Sequence, residues 1–222
     1  MCFSVNASFG AGIVLAVAGA VALKRARDPS ERLFAGIPLL FSVQQLSEGF
    51  VWLSFKNPEY AGMQQVFVHI FLLFAFVLWP IFIPLSIMRF EINTKRKRIL
   101  LLLSIIGVCI SLFIAFCMFG YPTYAVISEH HIRYSFGFPQ KLLSLRWLTD
   151  AIYFLVTIPP AFISSKKRVW IFGIIIAGSY ILSRLFFKDV VVSVWCYFAG
   201  MLSIAIYFIL APKTNRVLRF SV

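Results

Sequence analysis

Apolar residues run along the chain in seven long blocks, at about 5–23, 33–55, 63–88, 99–119, 147–164, 169–187 and 190–211, separated by short polar gaps. Each block is close to the roughly 20 residues that an α-helix needs to cross a hydrocarbon core of about 30 Å. The pattern predicts an all-α polytopic membrane protein with seven transmembrane helices, built as a single domain over residues 1–222. Within the third block, Trp79-Pro80 and Pro84 predict a kink in the inner half, because each proline removes a backbone donor. Pro159-Pro160 predicts a break near the inner end of the fifth. The longest gap, residues 120–146, lies outside the membrane on this reading. Apolar and polar residues alternate there from Tyr124 to Tyr134, the period of a short strand or hairpin lying over the bundle. A loop of that length suits a lid or binding segment.

Composition agrees with the block pattern. Of the 222 residues 61% are hydrophobic and 17% aromatic, with a mean hydropathy of +0.90, whereas soluble domains are about 45–50% apolar. Charge adds orientation. Fifteen Lys and Arg fall in the first, third and fifth connections and the C-terminal tail, among them Lys24, Arg25, Arg27, the run Lys95 to Arg98, and Lys166, Lys167 and Arg168. Six fall on the other side: Lys56, Arg133, Lys141, Arg146, Arg184 and Lys188. By the positive-inside rule the N-terminus is outside and the C-terminus inside. A signal peptide would carry its cations before the apolar region, whereas here they follow it. Residue 2 is Cys, which excludes myristoylation, and the sequon Asn6-Ala7-Ser8 lies too close to the membrane to serve as a glycosylation site.

The net charge of +13 does not point to nucleic acid, because the cations sit in the gaps between blocks and not on one amphipathic face. Their expected partners are the bilayer and, at the inner basic loops, anionic lipid headgroups. Several seven-span classes fail on residues. The last block has no lysine for a retinal Schiff base and no histidine for a ceramidase-type metal site, and the one Pro-Gln pair, Pro139-Gln140, lies in a loop. No nucleotide-binding, metalloprotease or serine-hydrolase motif is present.

The opening MCFSVNASF, followed in order by QQLSEGFVWL, FVLWP, HIRY and SVWCYF, resembles an uncharacterised family of bacterial seven-span membrane proteins that begin Met-Cys-Phe-Ser, a domain of unknown function. The resemblance runs over nearly the whole chain. It implies a fold and a bacterial inner-membrane setting, and no reaction.

Candidate chemistry centres on FSVQQLSEGFVWLSF in the second block. An ionisable residue within a span is costly, about 2.5–3.5 kcal/mol for Asp, Lys or Arg at the helix centre, and such residues face the bundle interior or a water-filled cavity. Gln44, Gln45, Glu48 and Trp52 are spaced to share one helical face. At about 1.5 Å per residue, Glu48 lies roughly 8 Å below the outer surface, and His69 and Cys196 lie roughly 9 Å deep on their own spans. Arg184 reaches a similar level, and Trp195 adjoins Cys196. These positions define an expected outer-half pocket of Gln44, Gln45, Glu48, Trp52, His69, Arg184 and Trp195. His130 and His131 lie in the loop above it. A Cys, His and carboxylate set of Glu48, His69, His131, Cys2 and Cys196 has the donors to hold zinc or copper, although its spacing matches no metal motif. A Cys2–Cys196 disulfide is the alternative use of those thiols in an oxidising compartment.

Three functions fit this reading. The first is binding, transport or sensing of a small polar or cationic ligand. The second is an integral-membrane enzyme, metal-dependent or not, acting on a lipid or exported group. The third is a structural assembly partner whose polar face only holds helices together.

Overall fold

The computed structural model describes residues 4–128 and 130–210. Helix α1 (Val5–Arg25) starts at Ser4, whose hydroxyl accepts from the Ala7 amide. A 3₁₀ turn (Pro29–Glu31) and the short α2 (Arg32–Ala35) lead into α3 (Ile37–Lys56). A second 3₁₀ segment (Pro58–Met63) then opens a long composite helix made of α4 (Gln64–Leu72), a π-helical stretch (Leu73–Leu78) and α5 (Trp79–Phe90). Helix α6 (Thr94–Gly120) is capped by the Asn93 side chain, which accepts from the Lys95 and Arg96 amides. Strands β1 (Thr123–Ser128) and β2 (His131–Phe136) pair antiparallel, from Thr123 opposite Phe136 to Ser128 opposite His131. Next come α7 (Gln140–Ser144), α8 (Arg146–Thr157), α9 (Pro160–Ile163), α10 (Lys167–Phe186), α11 (Val191–Ser203) and α12 (Ile206–Ile209).

Among the described residues, five stretches are long and apolar enough to cross a membrane: Val5–Arg25, Pro58–Phe90, Thr94–Gly120, Lys167–Phe186 and Val191–Ile209. The other two expected spans depart from that standard for identifiable reasons. In α3, Gln44, Gln45, Glu48 and three serines lower the hydropathy, although the helix is 20 residues long. The fifth block is divided: α8 ends at Thr157, where the Thr157 hydroxyl bonds back to the Tyr153 carbonyl, and Pro159-Pro160 restart the chain as α9. The hairpin falls where alternation predicts it.

Helix α3 lies among apolar neighbours, packed against α1, α4 and α11. Its closest approach to α1 depends on Gly19, where an added Cβ would come within 2.7 Å of the Leu39 amide nitrogen. Ser42 donates to the Gly12 carbonyl across the same contact at 2.7 Å.

The composite helix passes through a π stretch just before Trp79-Pro80, where proline cannot supply the usual helical donor. Neighbouring helices satisfy carbonyls in this stretch. The Tyr153 hydroxyl donates to the Ala75 carbonyl at 2.5 Å and the Ser111 hydroxyl donates to the Val77 carbonyl at 2.7 Å. Gly107 of α6 leaves room for the Pro80 carbonyl, which an added Cβ would strike.

At the end of the bundle opposite the hairpin, the connections are joined by polar contacts. Lys166 pairs with Glu31 at 2.7 Å and lies over the Phe90 ring. Arg25 donates to the Tyr207 hydroxyl at 2.6 Å. Glu91, just past α5, is 4% exposed and accepts from the Ile92 and Asn93 amides and from both the amide and hydroxyl of Ser165. Burial by itself would raise the Glu91 pKa, but the bonds from Ser165, Asn93 and Ile92 outweigh it and hold the carboxyl below its ordinary 4.5. Since folding lowers this pKa, the stabilisation is complete above the unfolded value and is lost as pH falls through the folded one. Thermal unfolding in detergent at a series of pH values is therefore expected to show stability dropping below about 4.5. That drop is expected to be smaller in Glu91→Gln.

Candidate functional site

The polar stripe of α3 faces inward. Gln44, Gln45 and Glu48 are each 0% exposed, and Trp52 is 5% exposed. Around the Glu48 carboxyl stand the Ser193 hydroxyl of α11, the Tyr134 hydroxyl of β2 and the Gln45 side chain. The Cys196 thiol lies beside Glu48 and Gln44. One hydrogen bond in this cluster is fully formed, from Trp79 Nε1 to Gln44 Oε1 at 3.0 Å, and the Trp79 ring stacks on Phe41. Among the described residues, both Glu48 oxygens, both polar atoms of the Gln45 amide, Gln44 Nε2, Ser193 Oγ and Tyr134 Oη are buried with no hydrogen-bond partner. Ser193, Tyr134 and Gln45 thus surround Glu48 at a looser geometry than a closed bond. The ion pairs among the described residues, Arg146–Asp150 and Glu31–Lys166, both lie elsewhere.

Local sequence explains how these groups meet. The pleat of β2 turns Ile132, Tyr134 and Phe136 toward the helices: Ile132 is fully buried, Tyr134 stacks on Phe71 and Phe136 meets Phe76. Ser193 and Cys196 are three residues apart on α11 and share a face.

Above this cluster, at the hairpin end, a cleft of about 460 Å³ is walled by β2, α6, α8, α10 and α11, and its lining includes Tyr134, Trp195 and Cys196. Trp195 and Cys196 also line a narrow apolar cavity of about 60 Å³ running toward the other end, beside Phe41, Trp79 and Ala199. These two residues therefore stand between the cleft and the bundle interior.

The other expected pocket residues are distributed as follows. Arg184 lines the cleft, and Trp195 packs edge-on against Tyr153 and Tyr180. His69 does not join the α3 cluster: its ring contacts the Gln65 carbonyl through Nδ1 and stacks on Phe119 of α6. The inward stripe of its helix is Val68, Phe71, Leu72 and Ala75. His131 packs edge-on against Phe187. Cys2 lies outside the described residues, and Cys196 is a free thiol. No group of three or more His, Cys, Asp or Glu side chains able to hold a metal ion comes together among the described residues.

Sequence reasoning missed Trp79, Tyr134 and Ser193 as members of the site. For Tyr134 a signal was present, since it stands two residues after Ile132 on the same face of an alternating strand.

A family model described as a family of unknown function, DUF6629, matches residues 1–219. The chain belongs to this family. No curated protein and no solved structure matches it. For this DUF6629 chain, therefore, the side chains themselves carry the functional argument. The arrangement offers a carboxyl, two amides, two hydroxyls and a thiol in a buried setting next to a cleft, which suits hydrogen bonding to a polar group or exchange of a proton or cation at Glu48.

The Trp79–Gln44 bond is the closed polar contact of the cluster. Trp79→Phe leaves Gln44 Oε1 buried without its donor and is expected to cost about 1–3 kcal/mol. Adding Gln44→Leu is expected to recover part of that loss, a coupling that a double-mutant cycle of thermal unfolding measures.

Proposed function

We propose that this DUF6629 protein is a seven-span protein of a bacterial inner membrane, N-terminus outside, that binds a small polar or cationic ligand in its outer half and moves or senses it. On this reading α3 and the broken α8–α9 pair complete the seven spans, the hairpin end faces outward, and the basic loops at the other end lie against anionic headgroups. Glu48 supplies negative charge or exchanges a proton, and Gln44 and Gln45 orient the ligand by hydrogen bonding. The hairpin, with His130 at its turn and His131 opening β2, is the lid over this pocket.

The observation that carries this reading is the set of unpartnered polar atoms on α3, α11 and β2, all buried and converging on Glu48. Buried polar groups are nearly always paired, because leaving one unpaired costs about 1–3 kcal/mol. A polar core that served only as glue between helices would close its hydrogen bonds within the protein, as Trp79 and Gln44 do.

The test is labelling by dicyclohexylcarbodiimide, an apolar reagent that adds to carboxylic acids within membranes. In folded protein an adduct is expected on the peptide carrying Glu48 and is expected to be absent in Glu48→Gln. Small amines, amino acids and polyols are then screened for protection of Glu48. No adduct at Glu48 in the folded wild type would contradict a reachable, exchanging carboxyl.

A further inference from the structure

The cleft carries a second feature, which does not depend on the α3 cluster. Its lining includes four basic residues, Arg133, Arg146, Arg184 and Lys188, against two acidic ones, Asp150 and Asp189. All six are exposed and form its rim. Arg146 pairs with Asp150 at 3.9 Å, with both side chains largely in solvent, and Arg184 acts on the same carboxylate. With four basic residues against two acidic ones, the rim keeps an excess of positive charge.

Below the rim the walls are aromatic, formed by Phe76, Phe113, Phe136, Phe138, Tyr153 and Tyr180. A cleft that is cationic at its mouth and aromatic along its sides matches an amphiphile with an anionic head. Its volume of about 460 Å³ lies within the roughly 300–1,000 Å³ of ligand sites, enough for a headgroup and the first part of a chain.

The position of the rim indicates where such a molecule comes from. Arg146 opens α8 and Arg184 lies in the last turn of α10, both at the hairpin end of the bundle. Next to them Trp147, Leu185 and Phe186 are 71%, 62% and 74% exposed. Basic residues beside exposed tryptophan and aliphatic side chains mark the depth of lipid headgroups. The cleft opens between α8, which packs on α5 and α6, and α10, which packs on α9 and α11. We propose that the cleft binds an anionic phospholipid of the surrounding leaflet, its phosphate held by Arg146, Arg184 and Lys188 and its upper chain lying along the aromatic wall.

The probe is phosphatidylglycerol carrying a photoreactive group on its acyl chain, reconstituted with the full-length protein in phosphatidylcholine vesicles, and crosslinks are mapped by peptide mass spectrometry. Crosslinks are expected on the wall segments around Phe113, Tyr153 or Tyr180. They are expected to fall by roughly tenfold or more in the double variant Arg184→Gln, Lys188→Gln, with an unchanged melting temperature as the folding control. A charge-keeping double variant, Arg184→Lys, Lys188→Arg, is expected to retain most of the signal. Unlabelled phosphatidylglycerol competes and glycerol phosphate at equal concentration does not, if the lipid is the occupant. Displacement by glycerol phosphate would overturn the part assigned to the wall and leave a site for a free phosphate-bearing anion. Equal crosslinking from a phosphatidylcholine analogue, or crosslinks confined to the opposite basic end of the bundle, would overturn the proposal.

Discussion

The rest of the structure depends on keeping the polar stripe of α3 out of hydrocarbon. Glu48 and its two neighbouring glutamines sit in a helix long enough to cross a membrane, and exposure of such groups to lipid costs several kcal/mol. Placing α3 between α1, α4 and α11 removes that cost. It also requires close approach, and α1 supplies Gly19 and Gly12 at that contact. The same placement brings Ser193, Cys196 and Tyr134 to the stripe, so the demand that buries α3 also assembles the candidate site.

A second demand comes from the backbone. Prolines in a membrane helix free carbonyl groups that water cannot reach, so other side chains must reach them. Tyr153 and Ser111 do this at the π stretch, fixing α8 and α6 against the composite helix. Glu91 and Lys166 tie the connections together at the basic end. The bundle is thus closed by specific contacts at one end and carries its cleft at the other, under the hairpin, where Trp195 and Cys196 divide the cleft from the apolar interior.

Hydropathy revealed most of the helices because each apolar block is a long-range property of composition, and alternation revealed the hairpin because period two is distinct from the helical period. The direction in which His69 points was not readable from the helical rise. Each residue turns the helix by about 100°, so His69 points at Phe119 while its neighbour Val68 faces the core. The burial stripe Val68, Phe71, Leu72 and Ala75 carried that information in its spacing. Contacts made by residues far apart in sequence left no local trace. Glu91 with Ser165 and Trp79 with Gln44 are of this kind, and so is the meeting of Ser193 and Tyr134 at one carboxyl.

Under the proposed function, the α3 polar face serves a ligand and not the fold. Thermal unfolding of Glu48→Met against wild type, in one detergent without added ligand, tests it most directly. The carboxyl closes no hydrogen bond with its neighbours, so replacing it with an apolar side chain of similar size is predicted to leave the melting temperature unchanged or to raise it. A clear fall would contradict the account, because it would mean that Glu48 holds the helices together.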